Sequence, residues 1–309
     1  MLALPEVGIN RSVNEHNCDH QCVCDWIESS LIFSDDEISK SDVVDILIEN
    51  TIYDDQDFCR EFVDTVWNTL ESRIGTINSP ITISFTAERI SRQNEWTADV
   101  PYSFCMILSC SLWYPGWARG FGGGYNAQGE LFEKFVVESM SKHFPMWTIN
   151  RTGWSATNVA RLGTVVNGII DVMSEIEGET ALWVHSKANE MGLDVFGYYT
   201  FNDNRPGMPV YFLQCASGKN WVDKRHTPDL KIWRNIISFA SKPVKAFAIP
   251  FALDDKEFRQ SCILVDGLFL NRYRLLSPYN IDRNWPSQEL IDSITAWLTP
   301  RANSLPLDV

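Results

Sequence analysis

EMGLDVFGYYTFNDNRPGMPVYFLQCASGKNWVDK, residues 190–224, is the stretch on which the reading of the fold turns. Two runs rich in aromatic and β-branched residues, 193–201 and 209–216, flank the segment NDNRPG (202–207), whose composition is that of a turn. The stretch reads as a β-hairpin. Its open end carries an acid on the first strand, Asp194, an amide on the second, Gln214, and a lysine just past it, Lys219. Counting back from a turn centred near Asn204 sets Asp194 opposite residue 214 or 215, with carboxylate and amide side by side. The two share a face only if they pair directly or with an even offset, which requires an odd-numbered turn or a bulge.

Upstream, residues 128–143 repeat with a helical period, with Leu131, Phe132, Phe135, Val136 and Met140 on the inner face and Glu130 and Glu133 in the first turns. Residues 146–150 form a candidate strand. Val159, Leu162, Val166, Ile169, Ile170 and Met173 predict a second helix over 159–176. Downstream, Thr227-Pro228 reads as an N-cap followed by proline in the first turn, with Leu230, Trp233, Ile236 and Ile237 on the buried face. Residues 245–253 and 261–265 predict further strands, and 287–298 a closing helix. This part of the chain is α/β.

Nearer the N-terminus, 14–33, 41–48 and 58–70 carry helical spacing, with Asp54, Asp55 and Asp57 placed to suit the start of the third helix. The runs ITISF (81–85) and SFCMILSCSLWY (103–114) predict buried strands. GFGGG (120–124) lacks the GK[ST] of a phosphate cradle and reads as a loop or hinge. The expected division is a mostly helical and mixed region over 1–120 and a second region over 121–309. His16, Cys18, His20, Cys22 and Cys24 raise a zinc reading, but the every-second-residue spacing lacks a CxxC knuckle, and an amphipathic helix is favoured.

The chain has 309 residues, 45% hydrophobic and 21% charged, a composition that folds. Eight cysteines, several within apolar runs, do not read as a disulfide framework. No run reaches the roughly 18 apolar residues that span a bilayer, and MLALPEVGINRS does not read as a leader, so a cytoplasmic protein is expected. A net charge of −14 means that any grip on nucleic acid needs a local basic patch or a partner. Lys219, Lys224, Arg225, Lys231 and Arg234 supply that patch, and Trp154, Trp221 and Trp233 are candidates for stacking on bases.

The order helix, strand, helix, hairpin, helix, strand over about 121–270, with GLDV and LQCASGKNW at the hairpin's open end, resembles the core of the PD-(D/E)XK nuclease superfamily. That resemblance implies a restriction-endonuclease-like αβββαβ core. It implies a metal-dependent deoxyribonuclease in which Glu133 or Glu130, Asp194 and Gln214 surround Mg²⁺ or Mn²⁺. Hydrolysis of a phosphodiester asks for a hard cation held by carboxylate oxygens, and for a positive charge at the transition state. The family's lysine stands two residues after the position of Gln214, where this chain has Ala216, so Lys219, or less favourably Lys224, has to supply the charge. The resemblance further implies DNA as partner, a role in bacterial defence, and recruitment by an ATPase- or helicase-type subunit or dimerisation. The competing reading is a nuclease fold kept as a non-catalytic binding scaffold. A thiol hydrolase built on Cys215 with His226 or His185 is disfavoured, because an apolar strand opposes the thiolate.

Overall fold

The computed structural model describes residues 1–9, 17–122, 125–152, 162–183 and 192–308. His16, Trp154, Val159 and His185 lie outside the described residues. The chain forms two compact units: Met1–Gly123 with Pro250–Ala252 and Arg272–Val309, and Gly124–Ile249 with Leu253–Asn271. The closing helix expected in the second region therefore belongs to the first.

The first unit contains α1 (His20–Phe33), β1 (Glu37–Ser39), α2 (Lys40–Glu49), α3 (Gln56–Thr76), β2 (Ile83–Phe85), β3 (Arg89–Arg92), α4 (Val100–Trp113) and α5 (Pro115–Arg119). The strands make a small antiparallel sheet in the order β1-β3-β2. As expected, acids start α3: Asp55 caps it and Asp57 lies in its first turn. The predicted strand at 103–114 is instead α4, capped by Asp99, whose carboxylate accepts from Tyr102 N at 3.0 Å. Every residue from Val100 to Cys110 is buried, so α4 has no polar face to print a helical period on the sequence. Its length was the better guide, because strands rarely run past about ten residues.

Helix α1 also departs from expectation, since it is buried on all sides from Cys22 to Ile32 rather than amphipathic. Its two acids, Asp25 and Glu28, point into the interior. Arg73 Nη1 donates to Asp25 Oδ1 at 3.0 Å and to Glu28 Oε2 at 3.1 Å. Arg272 donates to the same two oxygens at 3.2 and 3.4 Å. Trp113 Nε1 donates to Asp25 Oδ2 at 3.0 Å, and the Tyr102 hydroxyl donates to Glu28 Oε1. Two carboxylates thus meet two guanidiniums away from water, the condition under which buried charge is tolerated. Burial pushes the Cys18 and Cys24 thiols up to about 12 and that of Cys22 higher still. Among the described residues no three His, Cys, Asp or Glu side chains converge.

The second unit contains α6 (Tyr125–His143), β4 (Thr148–Arg151), α7 (Leu162–Met173), β5 (Ile176–Glu177), α8 (Thr180–Trp183), β6 (Val195–Tyr198), β7 (Val210–Cys215), α9 (Leu230–Ile236), β8 (Ile237–Ser238), β9 (Val244–Ala248), α10 (Asp255–Val265) and β10 (Gly267–Leu270). After it the chain adds α11 (Arg272–Leu276) and α12 (Gln288–Ala302) to the first unit. Five strands form a mixed sheet in the order β10-β9-β7-β6-β4. Strands β4, β6 and β7 run antiparallel in succession, whereas β7, β9 and β10 are parallel.

The hairpin forms as the sequence predicts, from β6 and β7, with Val195 opposite Leu213 and Tyr198 opposite Val210. Tyr199 N donates to Pro209 O, which leaves residues 200–208, an odd number, in the turn. One face of the hairpin, with Phe196, Tyr198, Val210 and Phe212, packs on Val166, Ile169 and Met173 of α7 and on Trp233 and Ile236 of α9. Helix α6 packs on β4 and β7, and buries Leu131, Phe132, Phe135, Val136 and Met140 as its spacing requires.

Two local expectations are corrected here. Residues 261–265 end α10 rather than forming a strand; the strand is β10, reached through the left-handed Asp266. Thr227-Pro228 is a cis peptide outside the helix, and α9 is capped by Asp229, whose carboxylate accepts from Lys231 N at 2.8 Å. The Thr-Pro pair resembled a helix start only because the true cap follows one residue later.

Candidate functional site

The open end of the hairpin gathers side chains from α6, β4, β6 and β7. Continuing the register one residue past Val195 and Leu213 sets Asp194 directly across from Gln214, so the two share a face. Both are 7% exposed. The Gln214 Nε2 group donates to Asp194 Oδ2 and, at 3.1 Å, to Cys215 O. Asp194 Oδ2 also accepts from Cys215 N at 2.7 Å. The Asp194 peptide is held on both sides: its N–H donates to Leu213 O at 3.0 Å, and its carbonyl accepts from Thr152 N at 2.9 Å.

On its other side Gln214 Oε1 accepts from Thr227 Oγ1 at 3.3 Å. Gly192 lies over this pair with φ +72°, and a Cβ there would come within 2.7 Å of Gln214 Oε1 and 2.5 Å of the Thr227 Cβ. Only glycine combines that backbone with that approach. The G of GLDV is thus a steric requirement of Gln214 and Thr227.

Helix α6 brings both candidate acids to β4. Arg151, the last residue of β4, donates through Nε and Nη2 to Glu133 Oε2 at 3.0 and 2.9 Å, and through Nη1 to Glu130 Oε1 at 3.4 Å. Glu133 is the inner acid, with a side chain 13% exposed against 47% for Glu130. Sequence reasoning missed Arg151. Its signal was a charged residue closing a short strand beside a helix that carries two acids. Earlier on the same helix, Gln128 Nε2 donates to Ser217 O at 3.0 Å and holds the loop after β7 against α6.

Cys215 reports the field of the site. Burial pushes its thiol well above the ordinary range; Asp194 and then Glu133 raise it further, and Arg151 opposes them. A group so held stays a thiol at neutral pH, which is the wrong form for nucleophilic attack.

The cations separate into two sets. Lys219 is exposed in the turn after β7 and makes no hydrogen bond or ion pair among the described residues. Ala216 occupies the position two past Gln214, is buried, and ties its N–H to Ala248 O at 2.9 Å. Trp221 is buried, with the Arg225 guanidinium 5.5 Å from its ring centroid and Phe269 at 6.4 Å, so its ring is packed inward rather than open to a base. Trp233 lies fully in the core against Phe212. Lys224 and Arg225 are half-buried, and Lys231 and Arg234 exposed. Lys245 of β9 pairs with Phe212, on the sheet face that carries Gln214, and is 9% exposed. Burial pushes its ammonium down, against Asp229 and Asp266, which favour the charge.

The donor set can be compared with the needs of a hard divalent cation. The two ends of an amide are isosteric; turned over, Gln214 would offer Oε1 to the place where Nε2 now meets Asp194 Oδ2 and Cys215 O. Carboxylate, amide and peptide oxygens would then face one another, and Nε2 would donate to Thr227 Oγ1. Among the described residues of the site, three carboxylates (Glu130, Glu133, Asp194) against the guanidinium of Arg151 and the ammonium of Lys134, which pairs with Glu130 at 3.8 Å, leave one negative charge. Such oxygens are the donor type that Mg²⁺ and Mn²⁺ take, while among the described residues no group of three His, Cys, Asp or Glu is placed to hold a metal. No protein-family model, curated protein or solved structure matches the chain.

Proposed function

We propose that the second unit is a PD-(D/E)XK-like nuclease that hydrolyses phosphodiester bonds in DNA. What supports the reading is Asp194 directly opposite Gln214 at the open end of the β6–β7 hairpin, in a mixed sheet whose edge strand β4 carries the Arg151 that holds Glu133 of α6. Asp194, Gln214 through its carbonyl and Cys215 O would hold Mg²⁺ or Mn²⁺, with Glu133 adding charge. A bound divalent ion of this kind supplies hydroxide at neutral pH and neutralises the charge that develops on the phosphate. Arg151 fixes the Glu133 carboxylate in place. Lys219 provides positive charge from the turn after β7, and Lys224 and Arg225 meet backbone phosphates. A catalytic subunit with so acidic a surface works best when delivered to DNA by an ATPase- or helicase-type partner or by a second copy, as in defence against foreign DNA.

A second reading rests on one specific observation. The Arg151–Glu133 pair and the Gln214–Asp194 hydrogen bond already satisfy the acids among themselves, which suits a nuclease fold retained as a DNA-binding or assembly scaffold. One assay separates the two. Linear, circular and single-stranded DNA are incubated with the purified protein in Mg²⁺, Mn²⁺ or EDTA, alone and with proteins encoded beside it. Metal-dependent cleavage that is lost in Asp194→Asn and reduced in Lys219→Ala supports the enzyme. Cleavage that survives Asp194→Asn refutes this site, and DNA or partner binding without cleavage selects the scaffold.

A further inference from the structure

The first unit holds a cavity of about 220 Å³ between the end of α3 and the edge strand β2. Ile74, Ile77, Ile81 and Ile83 line it together with Ser79, Thr82, the buried Tyr102 and the exposed Arg283. Two of the polar groups around it are committed elsewhere. The Tyr102 hydroxyl donates to Glu28, and Ser79 Oγ donates to Asp99 Oδ2 at 2.6 Å. Arg283 is the cation of the lining: it is exposed, Nη2 donates to Asn78 Oδ1 at 2.8 Å, and it forms no ion pair among the described residues. Arg283 thus places a guanidinium with no carboxylate partner among the described residues next to four isoleucine side chains.

We propose that this cavity binds a small aliphatic carboxylate, its hydrocarbon chain among the four isoleucines and its carboxylate on Arg283. The wall chemistry fixes the tail, since four isoleucine side chains offer it branched hydrocarbon. The guanidinium fixes the head, because its planar fork matches a carboxylate and is only partly used by Asn78. Volume fixes the size: the cavity is smaller than the roughly 300–1,000 Å³ that holds a drug-sized molecule, so the occupant is a short chain rather than a peptide segment. The binding requires nothing of the candidate nuclease site, which lies wholly in the second unit.

The test is calorimetric titration of the full-length protein with octanoate, 1-octanol and octylamine as probes. Octanoate is expected to bind more tightly than 1-octanol, and octylamine not to bind. Arg283→Gln is expected to weaken octanoate by about tenfold or more, the loss for a hydrogen-bonded charge, while leaving 1-octanol unchanged. That unchanged value also shows that the variant is folded. Ile83→Glu, which places an acid on the cavity wall, is expected to abolish octanoate binding. No binding of octanoate at millimolar concentration, equal affinity for 1-octanol, or octanoate affinity indifferent to Arg283→Gln would each overturn the proposal.

Discussion

Replacing Gln214 by glutamate tests whether the hairpin's open end is a paired acid and amide that awaits a cation. In the native chain Nε2 donates to Asp194 Oδ2 and, at 3.1 Å, to Cys215 O, in a site only 7% exposed. Gln214→Glu sets an oxygen against both. Two like charges about 4 Å apart repel by roughly 4 kcal/mol at an effective dielectric of 20. The fold escapes that by keeping the new carboxyl protonated, which at pH 7 costs about 1.36 × (7 − 4.3), or about 3.7 kcal/mol. The expected loss at pH 7 in EDTA is therefore about 3–4 kcal/mol. The sign follows from linkage. The new carboxyl has a raised pKa in the folded state, so the unfolded chain binds fewer protons above about pH 4.3 and stability falls as pH rises. Acidifying toward pH 4 should close the gap to wild type by about 1.4 kcal/mol per pH unit. At pH 7, Mg²⁺ or Mn²⁺ at 100 times its dissociation constant should restore about 2.7 kcal/mol. Urea unfolding at several pH values, with and without metal, measures all three quantities. A variant as stable as wild type at pH 7 in EDTA, or a penalty that does not shrink on acidification, refutes the reasoning about the pair; failure of both metals to stabilise it removes the cation.

Three other changes are predicted. Arg272→Met leaves Asp25 and Glu28 to share Arg73, and should destabilise the first unit by about 3–5 kcal/mol in chemical denaturation. Gly192→Ala imposes a left-handed backbone and a contact of 2.7 Å on Gln214 Oε1; a loss of about 1–3 kcal/mol is expected, with displacement of the Gln214 side-chain amide signals in NMR spectra. Lys245 is held below its ordinary pKa by burial, so the unfolded chain binds more protons in that alkaline window and native stability rises with pH there. Lys245→Met should flatten that rise, and an unchanged slope in alkaline unfolding curves would contradict it.

The elements that position the candidate site were legible because each has one wet face or one sharp turn. The period of α6 gave its buried residues, and the NDNRPG turn gave the hairpin and set Asp194 opposite residue 214 or 215, between which the register decides for Gln214. Legibility failed where burial is complete. Helix α4 carries no polar stripe, so its twelve-residue apolar run looked like strand; α1 hides Asp25 and Glu28, two acids that sequence alone assigns to water. In 261–265 apolar residues read as strand although Asp254 caps a helix upstream, its carboxylate accepting from Glu257 N at 2.6 Å. Arg151 was missed for another reason. Its meaning lies in its contact with Glu133, eighteen residues away, at which the charged end of a short strand after an acid-bearing helix only hints. Trp221 and Lys245 show the same limit in reverse, since their chemistry depends on what covers them.

Arg272 and Glu28 are 244 residues apart in the chain, yet they share one buried cluster. On the ribosome, the two acids of α1 emerge long before their second guanidinium. Between those events the whole of the second unit is synthesised, and it is built almost entirely from its own neighbours. Domains generally fold as units, N-terminal first, during synthesis. For this chain the connectivity predicts the inverse order: the inserted unit is fully synthesised while the earlier one still lacks Arg272 for its buried acids. Premature termination before Arg272 would therefore release a finished second unit tethered to an unfinished first, and quality control that recognises exposed cores would act on the first 123 residues rather than on the segment that was cut short.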